Sequence, residues 1–264
     1  MTLKTLIGNL ASNNQLENNQ AKEQLTNDGR GIDYSYDIQK GVEVCKSILS
    51  SADGLVFDRD WILDRIKAFG LAYQDWSLME NFNDWRNTSH FGLQQFPTEF
   101  ADFLVLLAKT IPKNGVEIGV WRGASSYFMC AVLQRITRDY EHTMIDISDY
   151  VFGFDDFNSI LNLNKKIPNT STDFRGTEFD FVFIDADHSY DGASTDYLNL
   201  GRYAKKIVAY HDIHAHEYDH LNGGTVRAWR EFKAANANKM SIMEFAHSPT
   251  PWMGIGVGLK NSKI

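Results

Sequence analysis

Cysteine is nearly absent from this chain: only Cys45 and Cys130 occur in 264 residues, far apart and without a CxxC or Cys/His spacing. A disulfide framework and a structural zinc knuckle are thereby disfavoured. Positive charge is short as well, with 26 Lys and Arg against 34 Asp and Glu, a formal charge of −8. A protein that lives on phosphate contacts carries a basic surplus, because each neutralised phosphate releases counterions; a small-molecule or protein partner is expected here, not nucleic acid. No run of eighteen apolar residues exists, and the start MTLKTLIGNLAS lacks a long apolar stretch with a cleavage site. Neither a membrane span nor a secretion signal is expected, so the chain reads as soluble and cytoplasmic. What is present is core material: 43% hydrophobic and 13% aromatic residues exclude global disorder.

The first thirty residues are crowded with Asn and Gln, although Leu3, Leu6, Ile7 and Leu10 fall at the spacing of a short amphipathic helix. This region reads as a peripheral arm that could exchange between subunits of a homo-oligomer. Two helices are expected between Tyr34 and Ile66, separated by Ser50-Ser51-Ala52-Asp53-Gly54. Trp76, Phe82, Trp85 and Phe91 follow with no interleaved Lys/Arg surplus, which suits core or lid packing and not a base-stacking platform. A division into an arm with a helical extension (1–93) and a main domain (94–264) results.

After Pro97 the pattern changes. Thr98 caps an expected helix to Lys109, and then strands alternate with helices: strand 116–120, helix 125–137, strand 142–147, strand 179–184, helix 194–203, strand 206–210, helix 225–235, and a closing pair 241–245 and 254–259. Such alternation implies an α/β fold with a mostly parallel, doubly wound sheet covered on both faces. Ligands in such sheets sit beyond the carboxyl ends of the strands.

Three segments put chemistry at those ends. EIGVWRGASS (117–126) runs from a strand through a turn punctuated by Gly119 and Gly123 into a helix. Its spacing is E-x-G-x-x-x-G, neither the dinucleotide fingerprint nor a phosphate loop, and the carboxylate of Glu117 would repel a phosphate and attract an ammonium or sulfonium group. MIDISD (144–149) ends the next strand in Asp146, a carboxylate suited to a ribose diol, with Asp149 as the competing choice. FDFVFIDADHSY (179–190) ends an apolar strand in Asp185, Asp187 and His188, and the following strand ends in His211 and Asp212. That group could hold a divalent cation through oxygen and imidazole, or supply a general base near neutral pH.

EIGVWRG, MIDISD, FDFVFIDADHSYDGASTDY and IVAYHDI, in this order and spacing, resemble class I S-adenosylmethionine-dependent methyltransferases over residues 94–260. Small-molecule O-methyltransferases are the nearest type, of the cation-dependent catechol and caffeoyl-coenzyme A kind or the sugar and macrolide kind. The resemblance implies a Rossmann-like seven-stranded sheet, here with a helical N-terminal extension, and S-adenosylmethionine as cofactor. It places Glu117, Gly119 and Gly123 along the methionine moiety, with Trp121 and Asp185 in the same cofactor-binding set and Asp146 on the ribose. In the cation-dependent members the metal ligands fall on Asp185, His211 and Asp212, for Mg2+ or another divalent ion, and the catalytic base falls on His188, with Asp187 beside it. Two departures stand out: His211 replaces a carboxylate, and Leu200-Gly201-Arg202-Tyr203-Ala204 replaces a glycine pair before the fifth strand.

The expected reaction is methyl transfer to a hydroxyl of a small molecule such as a sugar, phenol or natural product, with His188 taking the proton and Trp61, Trp76, Trp85 or Phe91 as lid candidates. The rivals are a hydroxylase-like enzyme holding iron in the Asp/His group and a catalytically silent binding module with a blocked crevice.

Overall fold

The computed structural model describes residues 33–72, 91–247 and 252–260. The helical spacing at Leu3 to Leu10 and the lid candidates Trp76, Phe82 and Trp85 lie outside the described residues.

The two expected early helices form. α1 (Ser35–Leu49) buries Ile38, Val42, Cys45 and Ile48 along one stripe. α2 (Arg59–Phe69) begins where the Asp58 carboxylate accepts hydrogen bonds from the Asp60 and Trp61 amides, and it ends at Gly70, whose φ of 116° no other residue adopts readily. α3 (Pro97–Lys109) starts one residue earlier than expected. Pro97 sits in its first turn, where a fixed φ is pre-set for helix and the missing N–H costs nothing, so Phe96 and not Thr98 occupies the cap position.

The rest alternates as anticipated, with α5 and β3 in addition to the expected elements: β1 (Asn114–Ile118), α4 (Ala124–Ile136), β2 (Glu141–Ile145), α5 (Phe154–Asn158), β3 (Leu163–Lys166), β4 (Phe181–Ile184), α6 (Tyr190–Asn199), β5 (Ile207–His211), α7 (Gly224–Asn236), β6 (Met240–Phe245) and β7 (Ile255–Lys260). The helix expected over 194–203 begins and ends about one turn sooner. Ser189 caps it by accepting a 3.0 Å hydrogen bond from the Gly192 amide.

The seven strands form one sheet in the order β3-β2-β1-β4-β5-β7-β6, with β1 to β5 parallel and β7 antiparallel between β5 and β6. This is the Rossmann-like, doubly wound sheet expected from the alternation. Strand order reverses between β1 and β4, and the register aligns Ile118 with Ile145 and Ile184, so these three strands finish level. The residues that follow them therefore share one rim. One face of the sheet packs on α1 to α4, where Phe103 stacks on Phe183 at 5.4 Å; the other carries α6 and α7, with Trp229 and Phe232 against Tyr210. α1 and α2 contribute Ile48, Ile66 and Phe69 to the same cluster as Phe100, Phe128 and Phe157. Phe91 lies 1% exposed in that cluster and Trp61 packs against it, so both serve the core and not a lid. Among the described residues, no helix is long and apolar enough to cross a membrane.

Candidate functional site

A cavity of about 930 Å³ opens over the strand ends at the reversal between β1 and β4. Its floor is the turn after β1. Gly119 holds a φ of 82°, and a Cβ there would lie 2.3 Å from the Asp185 carbonyl oxygen, so only glycine lets the two strand ends meet. Asp146 ties this turn from the side: its Oδ2 accepts hydrogen bonds from the Val120 and Trp121 amides at 3.0 Å each, and Oδ1 accepts from Ser148. Three of the carboxylate's roughly four acceptor positions are thus used, leaving room for one further donor from the cavity. Gly119, Trp121, Asp146 and Asp185 all line the space.

Two expected cofactor contacts need correction. Glu117 is fully buried and not among the lining residues; the Ser125 Oγ donates to it at 2.6 Å and the Ser126 hydroxyl also binds it. Strand alternation turns its side chain beneath the turn, where it anchors the first residues of α4. Gly123 also stands behind the wall. It is left-handed at φ 89° and a Cβ would press on the Tyr127 ring at 2.9 Å, so its role is to admit the turn into α4.

At the other end of the cavity the ends of β4 and β5 bring together Asp185, His188, His211 and Asp212. His211 Nδ1 lies 3.1 Å from Asp185 Oδ1 and 3.4 Å from Asp212 Oδ1, and His188 Nε2 lies 2.9 Å from Asp212 Oδ2 and 3.8 Å from Asp185 Oδ1. Asp185, His211 and Asp212 each offer one ligand atom within 4.8 Å of the others. Burial alone would drive the imidazoles toward neutrality. The two carboxylates outweigh it, pushing His188 up to about 10 and raising His211 well above its ordinary range. Burial opposes the charge on Asp185 and Asp212 too, yet the facing imidazoles hold both carboxyl groups below theirs. Asp187 also lines the cavity, but its Oδ1 accepts from the Ser189 amide at 2.9 Å and so shapes the entry to α6.

Several wall residues carry no sequence signal. Gln95, before α3, is 4% exposed and donates from Nε2 to Asp185 Oδ2 at 3.2 Å. Tyr218 stacks on His188 with ring centroids 4.4 Å apart, beside Glu217 in the loop after β5, and Met253 arrives from the approach to β7. His216 and His220, from the same loop, face outward, His216 paired with Asp219 at 3.1 Å.

Residues 116–213 match the model of a family described as a methyltransferase domain, a span that runs from β1 to just past β5 and contains both ends of the cavity. The resemblance to class I methyltransferases read from the four segments is borne out over that span. None of the curated proteins matches this chain. Among solved structures, it is similar to an O-methyltransferase from Bacillus cereus in complex with SAH, at 16% identity and a TM-score of 0.45, covering 59% of this chain and 78% of that one. It is also similar to the SAH-bound Podospora anserina methyltransferase PaMTH1, at 15% identity and a TM-score of 0.47 over 64% and 80% of the two chains. The Streptomyces achromogenes O-methyltransferase TomG, involved in tomaymycin synthesis and solved with SAM, aligns at 17% identity and a TM-score of 0.44 over 60% and 77%.

Proposed function

Taking residues 116–213 as a class I methyltransferase domain, we propose that this chain transfers a methyl group from S-adenosylmethionine to a hydroxyl of a small molecule, such as a sugar, phenol or natural product, with no nucleic-acid or membrane partner. The observation that carries the proposal is the open cavity of about 930 Å³ with the glycine turn and Asp146 at one end and the Asp185, His188, His211 and Asp212 cluster at the other. It also counts against a silent module with a plugged crevice.

The cofactor supplies an electrophilic methyl on a sulfonium: the acceptor oxygen forms the new C–O bond as the C–S bond breaks, and that electron pair stays on sulfur. The protein's part is to align the two centres, exclude water and take the hydroxyl proton. Gly119 lets the floor come close, Asp146 has an acceptor position left for a ribose hydroxyl, and Trp121 walls the same end. His188 lines the cavity with its ring stacked on Tyr218 and Nε2 beside Asp212, and it would take the acceptor's proton once a cation on the cluster relieves the carboxylates' pull that otherwise keeps it protonated.

The cluster fits a divalent cation, because the buried Asp212 and the half-buried Asp185 converge on one imidazole, and among the described residues His188 and His211 are the groups paired with them. Asp185, His211 and Asp212 would hold it, and it would supply positive charge that relieves the carboxylates' pull on His188 and lowers the hydroxyl pKa. Asp187 shapes the turn that presents His188.

The test is calorimetry with S-adenosylmethionine, followed by transfer of a deuterated methyl group to a panel of sugars and phenols. Saturable binding is expected, and Gly119→Val should abolish it by filling the turn. His188→Ala should keep cofactor affinity while cutting turnover roughly 10²- to 10⁴-fold. A well-folded sample with no affinity for the cofactor would overturn the reading.

A further inference from the structure

We infer that the ion held by Asp185, His211 and Asp212 is a borderline transition ion of the Mn2+, Fe2+, Co2+ or Zn2+ class and not Mg2+. The inference rests on the cation assistance proposed above and concerns which ion this chain's own donor set selects.

Each carboxylate is gripped from outside by one oxygen and presents the other inward. Gln95 Nε2 donates to Asp185 Oδ2 at 3.2 Å, leaving Asp185 Oδ1 facing His211; His188 Nε2 stands in ion-pair contact with Asp212 Oδ2 at 2.9 Å, leaving Asp212 Oδ1 facing the same ring. Outer partners of this kind orient ligating carboxylates in metal sites. The inward set is therefore two single oxygens and one imidazole nitrogen.

The spacing of these atoms suits short bonds. Metal–ligand bonds of about 2.1 Å put neighbouring ligand atoms roughly 3.0 Å apart in an octahedron and roughly 3.4 Å apart in a tetrahedron. His211 Nδ1 stands 3.1 and 3.4 Å from the two oxygens, and all three atoms fall within 4.8 Å. Calcium takes about six to eight oxygens, a preference that an imidazole nitrogen in the set does not meet. His211 is only 4% exposed, and its Nε2 has no hydrogen-bond partner among the described residues. The ring is thus packed in place with Nδ1 aimed at the oxygens.

Nitrogen in the set decides the ion. Mg2+ is hard, favours oxygen and keeps its own water, whereas imidazole suits the later first-row ions, whose affinity rises from manganese toward copper. A site with a carboxylate at position 211 would be open to Mg2+; His211 tilts it away.

The experiment titrates chelator-stripped protein with Mg2+, Mn2+ and Zn2+ by calorimetry, and examines the Mn2+ complex by pulsed electron paramagnetic resonance. Mn2+ and Zn2+ should bind at least about a hundredfold more tightly than Mg2+, and the Mn2+ spectrum should show coupling to one imidazole nitrogen. His211→Asp should lose that coupling and bring Mg2+ to within about tenfold of Mn2+. The wild-type spectrum decides the matter even if the variant fails to fold. Equal affinities, absence of nitrogen coupling, or no ion binding in protein that still binds S-adenosylhomocysteine would overturn the inference while leaving methyl transfer standing. Tight Zn2+ binding with no cofactor affinity would do the reverse.

Discussion

Asp196 sits on α6 at 8% exposure, beside the cavity, and burial raises its carboxyl to about 6, with Asp187 adding to the rise and a hydrogen bond from Ser171 opposing it. The folded-state value lies above that of the unfolded chain, about 3.9, so the protonated form is favoured by folding and its contribution is lost as pH climbs through about 6. Above that pH a buried charge costs on the order of 2–3 kcal/mol. Asp196→Asn should therefore raise the melting temperature at pH 7.5 and give little gain at pH 4.5, measured by thermal unfolding across that range. An equal gain at both ends would show that charge is not the cause. At this scale the legible residues were those whose type was out of place. His211 closes the apolar strand β5, and Asp185, His188 and Asp212 follow directly on β4 and β5, where nothing in a buried strand's own packing asks for them. Gln95, Glu217, Tyr218 and Met253 come from loops, where polar and aromatic side chains need no reason, and only the fold brings them to the wall. Glu117 was legible as a carboxylate beside the turn, but its direction was not: its strand position points it at Ser125 and Ser126.

Elements were legible to the extent that burial dictated their pattern. β4 and β5 are buried along their whole length and read as nearly continuous apolar runs, β1 and β2 keep only a buried apolar end at Ile118 and at Met144-Ile145, and β3, at the sheet's edge, is Leu163-Asn164-Lys165-Lys166 and shows no pattern to find. The joint between α3 and the closing hairpin was also invisible, because it is made by one side chain acting on distant backbone. Glu99 is 2% exposed and accepts hydrogen bonds from the His247 amide at 2.7 Å and the Gly254 amide at 3.1 Å, so it pins both ends of the segment joining β6 to β7. Burial raises its carboxyl pKa, and those two amides pull the other way. Glu99→Ala strands two amide donors and should cost about 2–4 kcal/mol, seen as a lower melting temperature and faster hydrogen exchange at Gly254. Glu231→Ala is the contrast. That carboxylate binds Arg227 at 2.9 Å and Tyr190 at 2.7 Å on the surface of α6 and α7, where solvent screens the pair, and its loss should leave the melting temperature nearly unchanged. Similar losses at the two positions would mean that Glu99 does not act as a clamp.

For the molecule as a whole, the sheet order follows from the alternation of strands and helices, but the way residues 33–72 join it does not. Their sequence has no partner in the four methyltransferase-like segments, and a boundary near residue 93 is the natural place to divide the chain. In the structure α1 lies on α4 and α2 on α3, and Tyr34, Ile38, Val42, Ile48, Val56, Ile62, Ile66 and Phe69 are all buried in one continuous core with the helices that cover the sheet. Full burial of such a side chain is worth roughly 1.5–3 kcal/mol, so these eight together outweigh or match the whole net stability of a typical domain, about 5–15 kcal/mol. Removing them would also bare Phe128 and Phe157, against which Phe69 packs at ring-centroid distances of 5.6 and 6.0 Å. A chain beginning at residue 94 should then keep much of its helix and strand signal by circular dichroism while binding a hydrophobic dye, losing its cooperative thermal transition and failing to bind cofactor. A chain beginning at residue 33 keeps every described contact and should unfold cooperatively. If the shorter chain melts sharply and binds cofactor as tightly as the longer one, the first two helices are an appendage and the core argument fails.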